Sequence, residues 1–184
     1  FTTGGTIDKT YFDQKSEYQV GDPQARGVLE KANVVVAYEV ESILKKDSLD
    51  LTDSDREDIR KKVESTSFDK IIITHGTDTM EETAYFLNLT VRWHRPVVLV
   101  GSMRSSNEVS ADGPANLINA VRVAISDQAP GQGVLVGLNE EISAARDVWK
   151  TDNRRVQTFS GSNAGHVGGM TYDPTSHSVF VVDN

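Results

Sequence analysis

The 184-residue chain carries 27 acidic against 19 basic side chains, a formal net charge of −8, and no cysteine. That negative balance, with no basic run against it, argues against a nucleic acid or an anionic membrane surface as partner. The missing cysteines exclude disulfides and thiolate metal sites and fit a reducing cytoplasm, and no apolar run approaches the ~20 residues that span a bilayer.

The chain opens at the end of a predicted strand that runs into Thr3-Gly4-Gly5-Thr6-Ile7, a glycine turn presenting a threonine hydroxyl. This abrupt start leaves room for a preceding segment such as a signal peptide. Asp8 to Gln24 has charged and aromatic residues but few apolar anchors, and is expected to be a mobile lid. Asp22-Pro23 supplies a cap and a first-turn proline for a short helix to about Ala32. Val34, Val36, Tyr38 and Val40 alternate as a strand would. Thr52 and Asp55 form a capping-box pattern that starts an amphipathic helix through about Val63.

Ile71 to Ile73 reads as a short buried strand leading into a second glycine turn, Thr74-His75-Gly76-Thr77-Asp78-Thr79, and a helix from Met80 to Leu89. Pro96 to Val100 is another buried strand, closed by Gly101. Asp112-Gly113-Pro114 opens a helix with Leu117, Val121, Ala124 and Ile125 on one face, and Gly133 to Leu138 is a further strand. The C-terminal stretch is rich in Gly, Ser, Asn and Asp and ends in Val179-Phe180-Val181-Val182, a late strand or hairpin. Strands alternating with helices predict βαβ units, a mainly parallel sheet and a single α/β domain. In such sheets, ligands bind where the carboxyl ends of strands meet.

No phosphate-binding loop, dinucleotide fingerprint or serine nucleophile elbow is present, and the four histidines lack metal-ligand spacing, so no metal or other cofactor is expected. His75 reads as a hydrogen-bonded residue near a strand end. Hydroxyls are then the best candidates for chemistry, although a threonine needs a proton acceptor and oxyanion donors to attack. Thr6 is one candidate, with Tyr11 in the following polar loop as a phenol able to orient or activate it. Asp78 could hold a substrate ammonium or cap the next helix. Lys150 is either a solvated surface lysine or a partly buried base.

Taken together, Thr3 to Ile7, Thr74 to Ala84, Gly101 to Arg104, Ser110 to Leu117 and Ala144 to Thr151 resemble, in order, the motifs of bacterial-type L-asparaginases, including the asparaginase–glutaminase group. The resemblance implies a flavodoxin-like, open, mainly parallel sheet with helices on both faces. It also implies hydrolysis of L-asparagine through an acyl-enzyme, with glutaminase activity or a non-catalytic amino-acid sensor as alternatives. Carried over by position, Thr6 is the nucleophile and Tyr11 its partner. Thr77 and Lys150 are the second hydroxyl and its proton-handling lysine, Asp78 holds the substrate ammonium, and Ser48 with Asp47 grips the substrate carboxylate. Longer members add a C-terminal domain that completes a neighbouring subunit's site. This chain resembles the short, single-domain form, residues 1–184 without that domain, and is expected to form a dimer or tetramer. Three features depart from the pattern: Leu49 follows Ser48 where many members have glutamine, Ser105 replaces a proline, and Ser160 to His166 matches loosely.

Overall fold

The computed structural model describes residues 1–12, 17–91, 94–161, 168–173 and 178–182, with backbone alone for residues 11, 12, 17–19 and those beyond 161. The elements in chain order are β1 (Thr2–Gly4), β2 (Lys9–Phe12), β3 (Glu17–Val20), α1 (Ala25–Lys31), β4 (Ser42–Lys46), α2 (Asp53–Ser65), β5 (Ile71–Thr74) and α3 (Met80–Thr90). They continue with β6 (Val97–Val100), α4 (Gly113–Ile125), β7 (Val134–Leu138), β8 (Glu141–Ala144), β9 (Val148–Lys150), β10 (Phe159–Gly161), β11 (Gly168–Asp173) and β12 (Ser178–Val182).

The main sheet has the order β12-β11-β8-β7-β6-β5-β1-β4. From β4 to β7 all pairings are parallel, while β8, β11 and β12 extend the sheet antiparallel. Counting only the parallel strands, the order is the flavodoxin-like 2-1-3-4-5, whose switch point lies between β1 and β5. The expected α/β class and open, mainly parallel sheet are therefore present.

The central strands are continuous apolar runs because helices cover both faces. On β6, Val97 and Leu99 join a core with α2 and α3, whereas Val98 and Val100 join one with α1 and α4. Each such fully buried side chain contributes roughly 1.5–3 kcal/mol. Thr52 and Asp55 do form the capping box: the Asp55 carboxylate accepts the Thr52 N–H at 2.8 Å, and Lys46 Nζ reaches the same carboxylate at 2.8 Å. Arg95 closes the other end of α2 on the carbonyls of Val63, Thr66 and Phe68.

Three expectations are corrected. Residues 34–40 form no strand; Val34, Tyr38 and Val40 pack against the α1–α4 core, but Val35 is 96% exposed and no ladder partner pairs with them. The strand is β4, an edge strand whose half-buried Ile43 and Leu44 are masked in sequence by Lys45 and Lys46. Helix α1 starts at Ala25 without a side-chain cap, because the Gln24 N–H is taken by Asp8. On α4 the buried face is Leu117, Ala120, Val123 and Ala124, and Ile125 is 42% exposed. The stretch after Asp8, expected as a mobile lid, contains the antiparallel hairpin β2–β3, with residues 13–16 outside the described set. The predicted C-terminal hairpin is β11–β12.

Candidate active site

After β1 the chain reverses through Gly4 and Gly5, both at positive φ (99° and 86°), into a one-turn 3-10 segment over Thr6–Asp8. The turn is pinned when the Gly5 N–H donates to the Lys46 carbonyl at 3.2 Å and the Asp8 N–H donates to the Gly5 carbonyl at 3.0 Å. After β5, the His75 N–H bonds the Val100 carbonyl at 2.8 Å, and Thr77–Thr79 forms a second short turn running directly into α3. The two turns touch through their glycines. A Cβ on Gly5 would run into the Gly76 backbone, and a Cβ on Gly76 would collide with Ser48 Oγ. The ends of β1, β4 and β5 thus converge at the switch point, bringing the Thr6, Ser48 and Thr77 turns together.

Thr77 is buried, and its Oγ1 accepts from Lys150 Nζ at 3.0 Å and points its proton at Met103 Sδ at 3.4 Å. The same ammonium lies 2.5 Å from Asp78 Oδ1. Asp78 is therefore not the cap of α3: Thr79 occupies the cap position without a side-chain bond, and the Asp78 carboxylate turns to Lys150. Lys150 is an inward-held lysine, its side chain 11% exposed, rather than a solvated one. Thr6 is half-buried, and its hydroxyl makes no hydrogen bond to another described residue. Tyr11 lies on β2 opposite Tyr18 rather than in a loop; its side chain is outside the described residues.

Ser48 begins a 3-10 turn after β4, its hydroxyl buried without a hydrogen-bond partner among the described residues, while its carbonyl accepts from Thr79 Oγ1 at 2.8 Å. Asp47 is already engaged. Its Oδ1 accepts the Leu49 N–H at 3.1 Å and its Oδ2 lies 2.5 Å from Lys9 Nζ. Burial opposes ionisation of Asp47, but Lys9 and the N–H groups of Leu49 and Ser48 outweigh it, and the carboxyl lies below its ordinary range. Leu49 points outward, 70% exposed.

His75 is fully buried; its Nδ1–H donates to the Gly76 carbonyl at 2.7 Å, and burial lowers its pKa to about 4. It is a structural residue beneath the turn, as its place near a strand end suggested. Behind the site, Asp112 accepts the N–H groups of Met103 and Arg104, and Asn116 donates to both Asp112 and the Gly101 carbonyl. Sequence reasoning missed Lys9, which ties the β2–β3 hairpin to Asp47, and Glu81, whose carboxylate accepts the Lys150 N–H. An acid in the first turn of a helix reads as a partner of the helix dipole, and only the fold brings β9 beside it. Among the described residues, no group of three or more His, Cys, Asp or Glu could hold a metal ion, and no helix is long and apolar enough to cross a membrane.

The model of the family "Asparaginase, N-terminal" matches residues 1–180. The chain belongs to the asparaginase family. It is 46% identical over 173 residues to a probable periplasmic L-asparaginase of Haemophilus influenzae, covering 90% of this chain and 49% of that one. It is 50% identical over 119 residues to a glutaminase-asparaginase of Acinetobacter glutaminasificans, covering 65% of this chain and 35% of the relative. The crystal structure of a probable cytoplasmic L-asparaginase from Campylobacter jejuni superposes with a TM-score of 0.80 at 39% identity, covering 100% of this chain and 55% of that one. This asparaginase-family chain thus spans about half the length of the Haemophilus and Campylobacter proteins.

Proposed function

We propose that this chain carries the catalytic threonines of an amidohydrolase that converts L-asparagine to L-aspartate and ammonia. The observation that carries the reading is the packing of Gly5 on Gly76, which joins the Thr6 turn to a Thr77 hydroxyl already bonded by Lys150. Thr6 Oγ attacks the side-chain amide carbon, its proton passing to a neighbouring acceptor, with Tyr11 as the orienting phenol. The resulting oxyanion is met by backbone N–H groups near Thr77; losing one such donor costs ~10²–10³ in rate. The C–N bond breaks as the nitrogen takes up a proton and leaves as ammonia. Water, activated at the Thr77–Lys150 pair, then cleaves the ester and returns the hydrogen to Thr6.

In this reading, Asp78 exchanges the Lys150 ammonium for that of the substrate. Ser48 Oγ, buried and without a partner, hydrogen-bonds the substrate carboxylate, with Asp47 shaping that turn. We place the protein in the cytoplasm, a reducing compartment that its lack of cysteine fits, and as a dimer or tetramer. A broader asparaginase–glutaminase is the second reading, favoured by the relative that bears that name. The two substrates differ by one methylene, worth ~1–3 kcal/mol of discrimination.

The test is ammonia release by the purified protein bearing these residues, with L-asparagine and L-glutamine run side by side. Thr6→Ala and Thr77→Ala are each expected to abolish it while circular dichroism is unchanged. Undiminished ammonia from Thr6→Ala removes the nucleophile assignment, and tight aspartate binding without any turnover assigns the chain to amino-acid sensing instead.

A further inference from the structure

Lys150 is not held by the main sheet. It ends β9, a three-residue strand whose ladder partner among the described residues is β10. Yet its Nζ lies 3.0 Å from Thr77 Oγ1 and 2.5 Å from Asp78, both on the turn that runs into α3. Val148 and Phe159 pack the ribbon into the core it shares with α3, and the hydrogen bond that fixes the Lys150 backbone itself comes from Glu81, in the first turn of α3, whose Oε2 accepts the Lys150 N–H. The carboxylate is held there at a cost: burial raises its pKa above the ordinary value, opposed by the N–H of Lys150. An acid serving only the helix dipole would gain by facing solvent.

We propose that Glu81 is the positioning residue of the site, its carboxylate fixing the Lys150 backbone so that the ammonium reaches Thr77. Thr77 and Glu81 lie four positions apart on one continuous stretch, the turn and the start of α3. The hydroxyl and the anchor of its lysine therefore keep a constant separation, whatever the ribbon does. This inference rests on the roles proposed above for Thr77 and Lys150. A displacement of ~1 Å at such a contact can cost ~10²-fold in rate.

The test measures kcat and KM for asparagine in Glu81→Ala, Glu81→Asp and Glu81→Gln, beside Lys150→Met and Thr77→Ala. The Ala and Asp variants should lose kcat by ~10–100-fold with KM changed less than ~3-fold, because neither places an acceptor at the Lys150 N–H. Glu81→Gln should recover kcat to within ~3-fold, since its amide oxygen accepts the same bond. If Glu81→Ala does not fold, the Asp and Gln pair decides, as both retain a polar side chain. Activity kept by Asp and lost by Gln would show that charge rather than reach matters and would overturn the proposal. So would full activity in Glu81→Ala while Lys150→Met is dead. Unchanged kcat in Lys150→Met and Thr77→Ala would sink the roles of those two residues, and the function of Glu81 with them.

Discussion

The two glycine–threonine turns look alike in sequence and are built for different reasons. Gly5 is required by conformation: φ 86° with ψ −173° is a region open essentially to glycine alone. Gly76 has an ordinary φ of −69° and is required by space, because Ser48 and Gly5 press against it. The hydroxyls differ in the same way. Thr77 is buried and wired to Lys150, whereas Thr6 is half-buried with no hydrogen bond to a described residue. A hydroxyl that relays protons must be held, and the buried, lysine-bonded Thr77 is in keeping with the role proposed for it.

The largest effects should come from breaking that contrast. Thr6→Ala should lower kcat by ~10³-fold or more. Lys150→Met leaves the Thr77 hydroxyl in place without its ammonium and should cost ~10²–10⁴-fold, the usual range for acid–base groups. Equal activity in Lys150→Met and the unsubstituted protein would erase the contrast between the hydroxyls. The glycines test it at the level of stability. Gly5→Ala combines a forbidden φ with backbone overlap and should cost roughly 3 kcal/mol or more, lowering the thermal midpoint by roughly 10 °C. Gly76→Ala carries no conformational term, and rotation of Ser48 relieves the Oγ contact though not the one with Ser48 Cβ at 2.7 Å, so its loss should be real but smaller. Calorimetry of the two variants showing the reverse order would refute the distinction between conformation and space.

How much of this was legible in sequence follows from the number of partners each element has. Val97–Val100 and Val134–Leu138 are buried on both faces, and Ile71–Ile73 on one with Ile72 partly buried on the other, so they stand out as apolar runs between helices, and the α/β class follows. Strand β4 pairs along one edge only, and β9 and β10 are three residues each, too short for a period to show. The turns carrying Thr6, Thr77 and Asp78 were readable because glycine spacing is a local signal. The contacts of Lys150 with Glu81 and of Lys9 with Asp47 were not, since each joins elements that meet only through the crossovers of the sheet.

The smallest net effect hides two opposed ones. Asp8 lies two residues after Thr6 and His75 two residues before Thr77, and both are buried. Burial raises the Asp8 pKa from 3.8 to about 6, against the Gln24 N–H and Lys45. It lowers His75 from 6.5 to about 4, against the bond to the Gly76 carbonyl. Between about pH 4 and 6, native Asp8 keeps a proton that the unfolded chain has released, so its contribution to stability falls as pH rises. Over nearly the same window, the unfolded chain binds a proton that native His75 refuses, so that contribution grows as pH rises. At ~1.4 kcal/mol per pH unit, each amounts to roughly 3 kcal/mol, and the two nearly cancel. Urea unfolding at pH 4, 5, 6 and 7 should therefore show Asp8→Asn gaining roughly 3 kcal/mol, relative to the unsubstituted protein, between pH 4 and 6. His75→Gln should lose a similar amount over the same range. Parallel curves for all three proteins would mean that these groups titrate alike folded and unfolded.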